Sequence, residues 1–109
     1  MLKLKPSPTF PHTLRLSVPG QAEPVELAVV FRHRGKKDLQ DWMRTLGDKS
    51  DAVAALEILE SWEGVVDTDG TPVPLSAAAL DALFDGYPGA PLEITEQYFE
   101  ALRGGRRKN

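Results

Sequence analysis

At 109 residues, 41% of them hydrophobic and 27% charged, the chain has room for one domain with a modest core and is too apolar for disorder. A formal net charge of −3 leaves it without an overall positive field that would draw it onto nucleic acid or anionic lipid. The lack of cysteine excludes disulfides, zinc–thiolate sites and thiol nucleophiles, and suits a reducing interior.

The first 11 residues, MLKLKPSPTFP, read as a flexible arm: prolines interrupt the apolar run that a signal peptide needs. Nowhere do about 18 apolar residues follow one another, so the reading is of a cytosolic protein that does not engage membrane. Residues 12–103 read as a single α+β domain. From His12 to Val18 the sequence alternates, with Leu14, Leu16 and Val18 on one face and Thr13, Arg15 and Ser17 on the other, which predicts a half-buried strand. After the turn-rich PGQAEP, the β-branched segment Val25–Arg34 returns antiparallel to it as a hairpin whose edge would permit strand addition by a partner.

Leu39, Trp42, Met43 and Leu46 recur at helical spacing, and Gly47 is placed to end that helix in a left-handed conformation. A second helix is predicted from a Ser50 or Asp51 cap through Trp62. Ala52, Ala55, Leu56, Ile58, Leu59 and Trp62 spread over its broad apolar face, leaving Glu57, Glu60 and Ser61 outside. A third helix starts at Ser76, carries Leu80, Leu83, Phe84 and Tyr87, and stops at Pro88-Gly89. A fourth begins either with Pro91 in its first turn or with Thr95 as a cap, Ile94 and Phe99 then forming a staple. Gly104-Gly105 ends it, and residues 104–109 read as a mobile basic tail. The predicted fold is thus an N-terminal antiparallel hairpin packed beside a bundle of about four short helices.

Between the second and third of these helices lies VVDTDGTPVPL. Aligning Gly70 with the invariant glycine of a calcium-binding EF-hand loop puts Asp67 and Asp69 at ligand positions, but leaves Val65 and Ser76 where carboxylates are needed. The residues fit a tight structural turn instead, with Asp67 and Asp69 bonding backbone amides and Gly70 taking positive φ. Neither His12 nor His33 has a partner at metal-ligand spacing, no serine sits in a G-x-S-x-G elbow, and GKK near Gly35 is no Walker loop. Glu57, Glu60 and Glu63 read as a solvated helix face. Arg32–Lys37 and the terminal RRKN are basic clusters without an aromatic stacking platform, which argues against nucleic-acid binding. Trp42, Trp62, Tyr98 and Phe99 are core candidates that anchor interfaces where they are exposed.

The ordered string from Val25 to Asn109 resembles the small tail assembly chaperones of long-tailed bacteriophages and prophages. It carries Trp62, then Gly64, Val65, Asp67, Asp69 and Gly70 of a G-V-x-D-x-D-G turn, then Pro74, Leu75 and Ser76, then Leu80, Leu83 and Phe84. The resemblance implies a non-catalytic factor, without cofactor, in the host bacterial cytoplasm. It implies binding to the long, largely helical tape measure protein, which is kept soluble, and help in recruiting tail tube subunits. Self-association is left open, and the alternative is a structural tail or head-tail connector component retained in the virion. On this reading Trp62, Tyr98 and Phe99 are the first candidates for contact with the client.

Overall fold

The computed structural model describes residues 1–104, so the basic tail beyond Gly104 lies outside the described residues. The elements run β1 (Thr9–Leu16), β2 (Val25–Arg32), α1 (Lys36–Arg44), a 3-10 turn (Leu46–Asp48), α2 (Asp51–Ile58), β3 (Leu59–Trp62), α3 (Ala77–Gly86) and α4 (Ala90–Leu102). The architecture is α+β, with an N-terminal antiparallel hairpin and four helices, and the sheet gains a third strand in the order β1-β2-β3.

The hairpin pairs from Thr9↔Arg32 to Leu16↔Val25, so β1 begins and ends earlier than its alternation suggested. Its turn is closed by the Gln21 amide donating to the Val18 carbonyl at 3.0 Å, with Gly20 at φ 85° following Pro19. Proline presets the first central residue of such a turn and glycine accepts the positive φ of the second. One face of the sheet collects Leu14, Leu16, Leu27, Val29, Phe31, Leu59 and Trp62, all buried. Ala52, Ala55, Ile58, Leu80, Ile94 and Tyr98 from the helices complete the same core.

The predicted second helix is corrected. It stops at Ile58, and Leu59–Trp62 crosses into the sheet as β3, pairing Phe31↔Leu59, Val30↔Ser61 and Val29↔Trp62. The register shifts between Val30 and Phe31, so Glu60 is the extra residue of a β-bulge. That bulge puts the two buried residues of the strand, Leu59 and Trp62, three positions apart, which is also helical spacing. The alanine-rich run before them then reads on as helix. VVDTDGTPVPL accordingly joins β3 to α3 rather than two helices.

Gly47 is also corrected: it takes no positive φ. α1 ends at Thr45, whose hydroxyl and amide both donate to the Trp42 carbonyl, and the chain tightens into the 3-10 turn without needing a left-handed residue. Met43, counted on the apolar stripe, is 47% exposed. The caps of α2 and α3 fall where expected, Ser50 Oγ accepting from the Val53 amide and Ser76 Oγ from the Ala79 amide. α4 takes the start with Pro91 in its first turn, and Thr95 lies inside the helix.

α4 also closes the free edge of β1. The Gln97 side-chain amide accepts from the Arg15 N–H at 2.9 Å and donates to the Arg15 carbonyl at 2.7 Å, as a neighbouring strand would. Glu93 accepts from the Ser17 N–H at 2.9 Å, and Pro11 has no N–H to offer. The edge is therefore protected against strand addition along this stretch.

Candidate functional site

Tyr98 and Phe99 lie at the end of the hairpin where β1 begins. Tyr98 is fully buried, its ring 5.0 Å from Phe31 and 5.7 Å from Trp42 between centroids, and its hydroxyl donates to the Arg32 carbonyl at 2.7 Å. Burial pushes the phenol up to about 12, against a smaller opposing pull from Arg34. Phe99 packs part-buried against Trp42, with centroids 6.2 Å apart. Phe10 and His12 extend the cluster over the other side of Phe31, at 5.7 and 5.3 Å. Burial sets the His12 imidazole below its ordinary 6.5, Gln97 opposes this, Arg15 adds to it, and Glu100 opposes it least.

Trp62 stands apart from this cluster. It is 8% exposed, and its indole N–H donates to the Val73 carbonyl at 2.8 Å, which ties β3 to the loop that follows. The candidate contacts are thus not one patch. Trp62 and Tyr98 sit in the core with their polar tips satisfied inside the molecule, which leaves little of either surface for a partner.

In the loop, Asp67 organises the fold-back. Its Oδ1 accepts from the amides of Asp69 at 2.9 Å and Thr71 at 3.0 Å, and its carbonyl accepts from the Gly70 amide at 3.0 Å. Gly70 takes φ 81°, and an isolated antiparallel bridge joins Val66 to Pro72. An aspartate bonding its own backbone two residues on, followed by a left-handed glycine, is a turn built from sequence-local chemistry. Among the described residues no group of three or more histidine and acidic side chains is placed to hold a metal ion.

The turn carries Gly64, Val65 and Val66 toward the other end of the hairpin. There they face Leu16 and Val18 of the β1 side, Val25 and Leu27 of β2, and Leu83 and Tyr87 of the α3 side across a groove of about 210 Å³. Its rim is apolar and open, with Val25 46%, Val66 53% and Tyr87 37% exposed. Gly64 sits on its floor at φ 91°, and a Cβ there would meet Leu27 Cδ1 at 3.4 Å. These residues come from four separate segments, and no single stretch of sequence announces them. Exposed apolar residues gathered in one groove, rather than scattered singly, make it the candidate contact surface.

Charge is divided across the molecule in a way the bulk figure hides. Residues 50–102 hold 11 of the 16 acidic side chains and no lysine or arginine. All 13 lysines and arginines fall in the remainder, beside 5 acidic residues, so a net charge of −3 is the sum of −11 and +8. None of these acidic side chains lines the groove: Glu26, between Val25 and Leu27 in sequence, pairs with Arg15 at 3.4 Å, and Asp67 is engaged by the amides of its own loop. This division is a signal the sequence contains and that a reading by local clusters passes over. Among the described residues no helix is long and apolar enough to cross a membrane.

Compared with known proteins, residues 1–109 match the sequence model of a family described as phage tail assembly chaperone. No curated protein and no solved structure matches the chain.

Proposed function

The chain belongs to the phage tail assembly chaperone family, and from that premise we propose that it binds the tape measure protein, keeps it soluble and helps recruit tail tube subunits. The observation that carries this reading is the open apolar groove rimmed by Val25, Val66 and Tyr87. Its open apolar lining suits the apolar stripe of a helix, the usual way an amphipathic helix is recognised. The protein acts by binding rather than catalysis, in the host cytoplasm before the tail is complete. Contact with the client is assigned to this rim, because Trp62 and Tyr98 are committed to the core and Phe99 is partly so.

Co-expression with the tape measure protein of the same phage tests the reading. A soluble complex, captured on the chaperone and weighed by native mass spectrometry, is expected where the tape measure protein alone is insoluble. Failure to capture an intact, expressed client, together with stoichiometric presence of this chain in purified virions, would make it a structural tail component instead.

A further inference from the structure

We infer that the end of the molecule where β1 begins binds single-stranded nucleic acid, through lysine and arginine side chains that the fold gathers from three separate segments. The client keeps the groove, and this second ligand lies at the opposite end of the hairpin. The N-terminal arm carries Lys3 and Lys5 and enters β1 at Thr9. β2 leaves the sheet beside it, the His33 amide donating to the Pro8 carbonyl at 2.8 Å, and α1 then opens with Lys36 and Lys37. α4 runs antiparallel to β1, with Glu93 at Ser17, Gln97 at Arg15 and Tyr98 at the Arg32 carbonyl. Its last turn therefore delivers Arg103 to the same end, and the sequence continues into Arg106, Arg107 and Lys108.

These cations differ from the others in being uncommitted. Arg15 pairs with Glu26 at 3.4 Å, Arg32 with Glu60 at 3.2 Å, Arg44 with Asp41 and Lys49 with Glu57. Among the described residues Lys3, Lys5, Lys36, Lys37 and Arg103 are exposed and enter no such ion pair. Half-buried Arg34 adds its charge, since it donates at 3.1 Å to the neutral carbonyl of Glu57. The carboxylates carried to this end by the same elements are Asp38 and Glu100, which leaves the balance positive. A net charge of −3 for the whole chain does not cancel it. The loop with Asp67 and Asp69 lies at the far end of an eight-residue strand, about 23 Å away, whereas charges in physiological salt are screened within about 8 Å.

Aromatic rings decide between polyanions. Along the sequence these cations have no aromatic platform, but the fold sets Phe10 and His33 among them, edge to face with ring centroids 6.5 Å apart and both half-buried. A single strand uses both features, its phosphates on lysine and arginine and its unstacked bases on ring faces, without reading sequence. An acidic peptide would meet the same cations and gain nothing from the rings, and a duplex keeps its bases stacked inside.

The test titrates the untagged full chain into fluorescein-labelled oligo(U) and oligo(dT) of about twelve nucleotides, read by fluorescence anisotropy. Both should bind with a Kd of about 10⁻⁶ to 10⁻⁴ M, the tighter naming the strand met in the host. If about four phosphates are neutralised, affinity should fall about fiftyfold between about 50 and about 200 mM salt. Lys36→Glu/Lys37→Glu should weaken binding by about tenfold or more and flatten the salt dependence, and His33→Ala should weaken it by about threefold with the salt dependence kept. Poly-glutamate of matched charge should compete only at about tenfold higher concentration or more. Val66→Glu, on the groove, should bind the strand as wild type does. No binding at about 50 mM salt, wild-type binding by Lys36→Glu/Lys37→Glu, equal competition by poly-glutamate, or loss of binding in Val66→Glu would each overturn the inference. The lysines are exposed, so circular dichroism should be unchanged by their replacement. Should the α1 variant be disturbed, Lys3→Glu/Lys5→Glu lies outside every helix and strand, and wild-type binding by it would equally overturn the inference.

Discussion

At the end of the hairpin where β1 begins, Phe10 packs on Phe31, and Phe31 meets Tyr98, which packs with Trp42 and Phe99 from the helices. At the other end, where the hairpin turns, Leu16, Val25 and Leu27 face the Gly64–Val66 loop and the end of α3 across a groove that stays open between them. Both ends are apolar. They differ in what covers them: α4 and α1 bring aromatic rings to the first, while a short loop pinned by Asp67 brings two valines and a glycine to the second. Trp62 and Tyr98, which attract attention as contact candidates, are therefore buried, and the exposed rim of the open end is formed by Val25, Val66 and Tyr87.

The largest expected effects come from emptying the filled end. Tyr98→Ala should cost about 3–5 kcal/mol, as removal of a fully buried ring does, enough to unfold a domain of ordinary stability in thermal or urea melts. Tyr98→Phe keeps the ring but leaves the Arg32 carbonyl without its donor, and should cost about 1–2 kcal/mol in the same melts. The raised phenol gives a further check. With a folded value of about 12 above the ordinary 10, the folded state holds this proton more tightly, so its contribution to stability is complete below pH 10 and is lost as pH rises from 10 through 12. Ultraviolet titration should show one tyrosine ionising late, and Tyr98→Phe should abolish that step.

A smaller effect is expected from the groove floor. Gly64→Ala forces an L side chain to φ 91° and sets its Cβ against Leu27, which should cost about 1–2 kcal/mol. Gly20→Ala, at φ 85° with nothing near its Cβ, should cost less in urea melts, and an equal cost would mean that the Leu27 contact is of no account. Smaller again is the pH dependence of His12. Its folded value lies below 6.5, so the unfolded chain binds more protons as pH falls past 6.5, and stability is lost in that direction. Melts between pH 8 and 5 should show this slope reduced in His12→Gln.

Much of the fold was legible because its signals are local. Leu14 and Leu16 alternate, Ser50 and Ser76 cap, Pro91 opens a helix, and the Asp67–Gly70 turn is written in adjacent residues. β3 was not legible, because its bulge gives Leu59 and Trp62 a helical separation and its pairing with Val29–Phe31 is made across 28 to 33 residues of chain. Gly47 misled for a related reason: its placement fits a left-handed stop, but Thr45 had already ended the helix through the Trp42 carbonyl. The groove was the least legible feature of all. Val25, Val66 and Tyr87 are unremarkable one by one, and only the folded chain assembles them. The protected β1 edge was hidden in the same way, since Gln97 and Glu93 reach it from the far end of the sequence.

The central claim is that the open aliphatic end, and not the filled aromatic end, meets the partner. Val66→Glu places a charge on the groove rim at a residue 53% exposed, so its stability should stay within about 0.5 kcal/mol of wild type. Captured from co-expression with the tape measure protein, this variant should bring down little or no soluble client, while Tyr98→Phe, although less stable, captures as wild type does. Undiminished capture by a well-folded Val66→Glu would contradict the account.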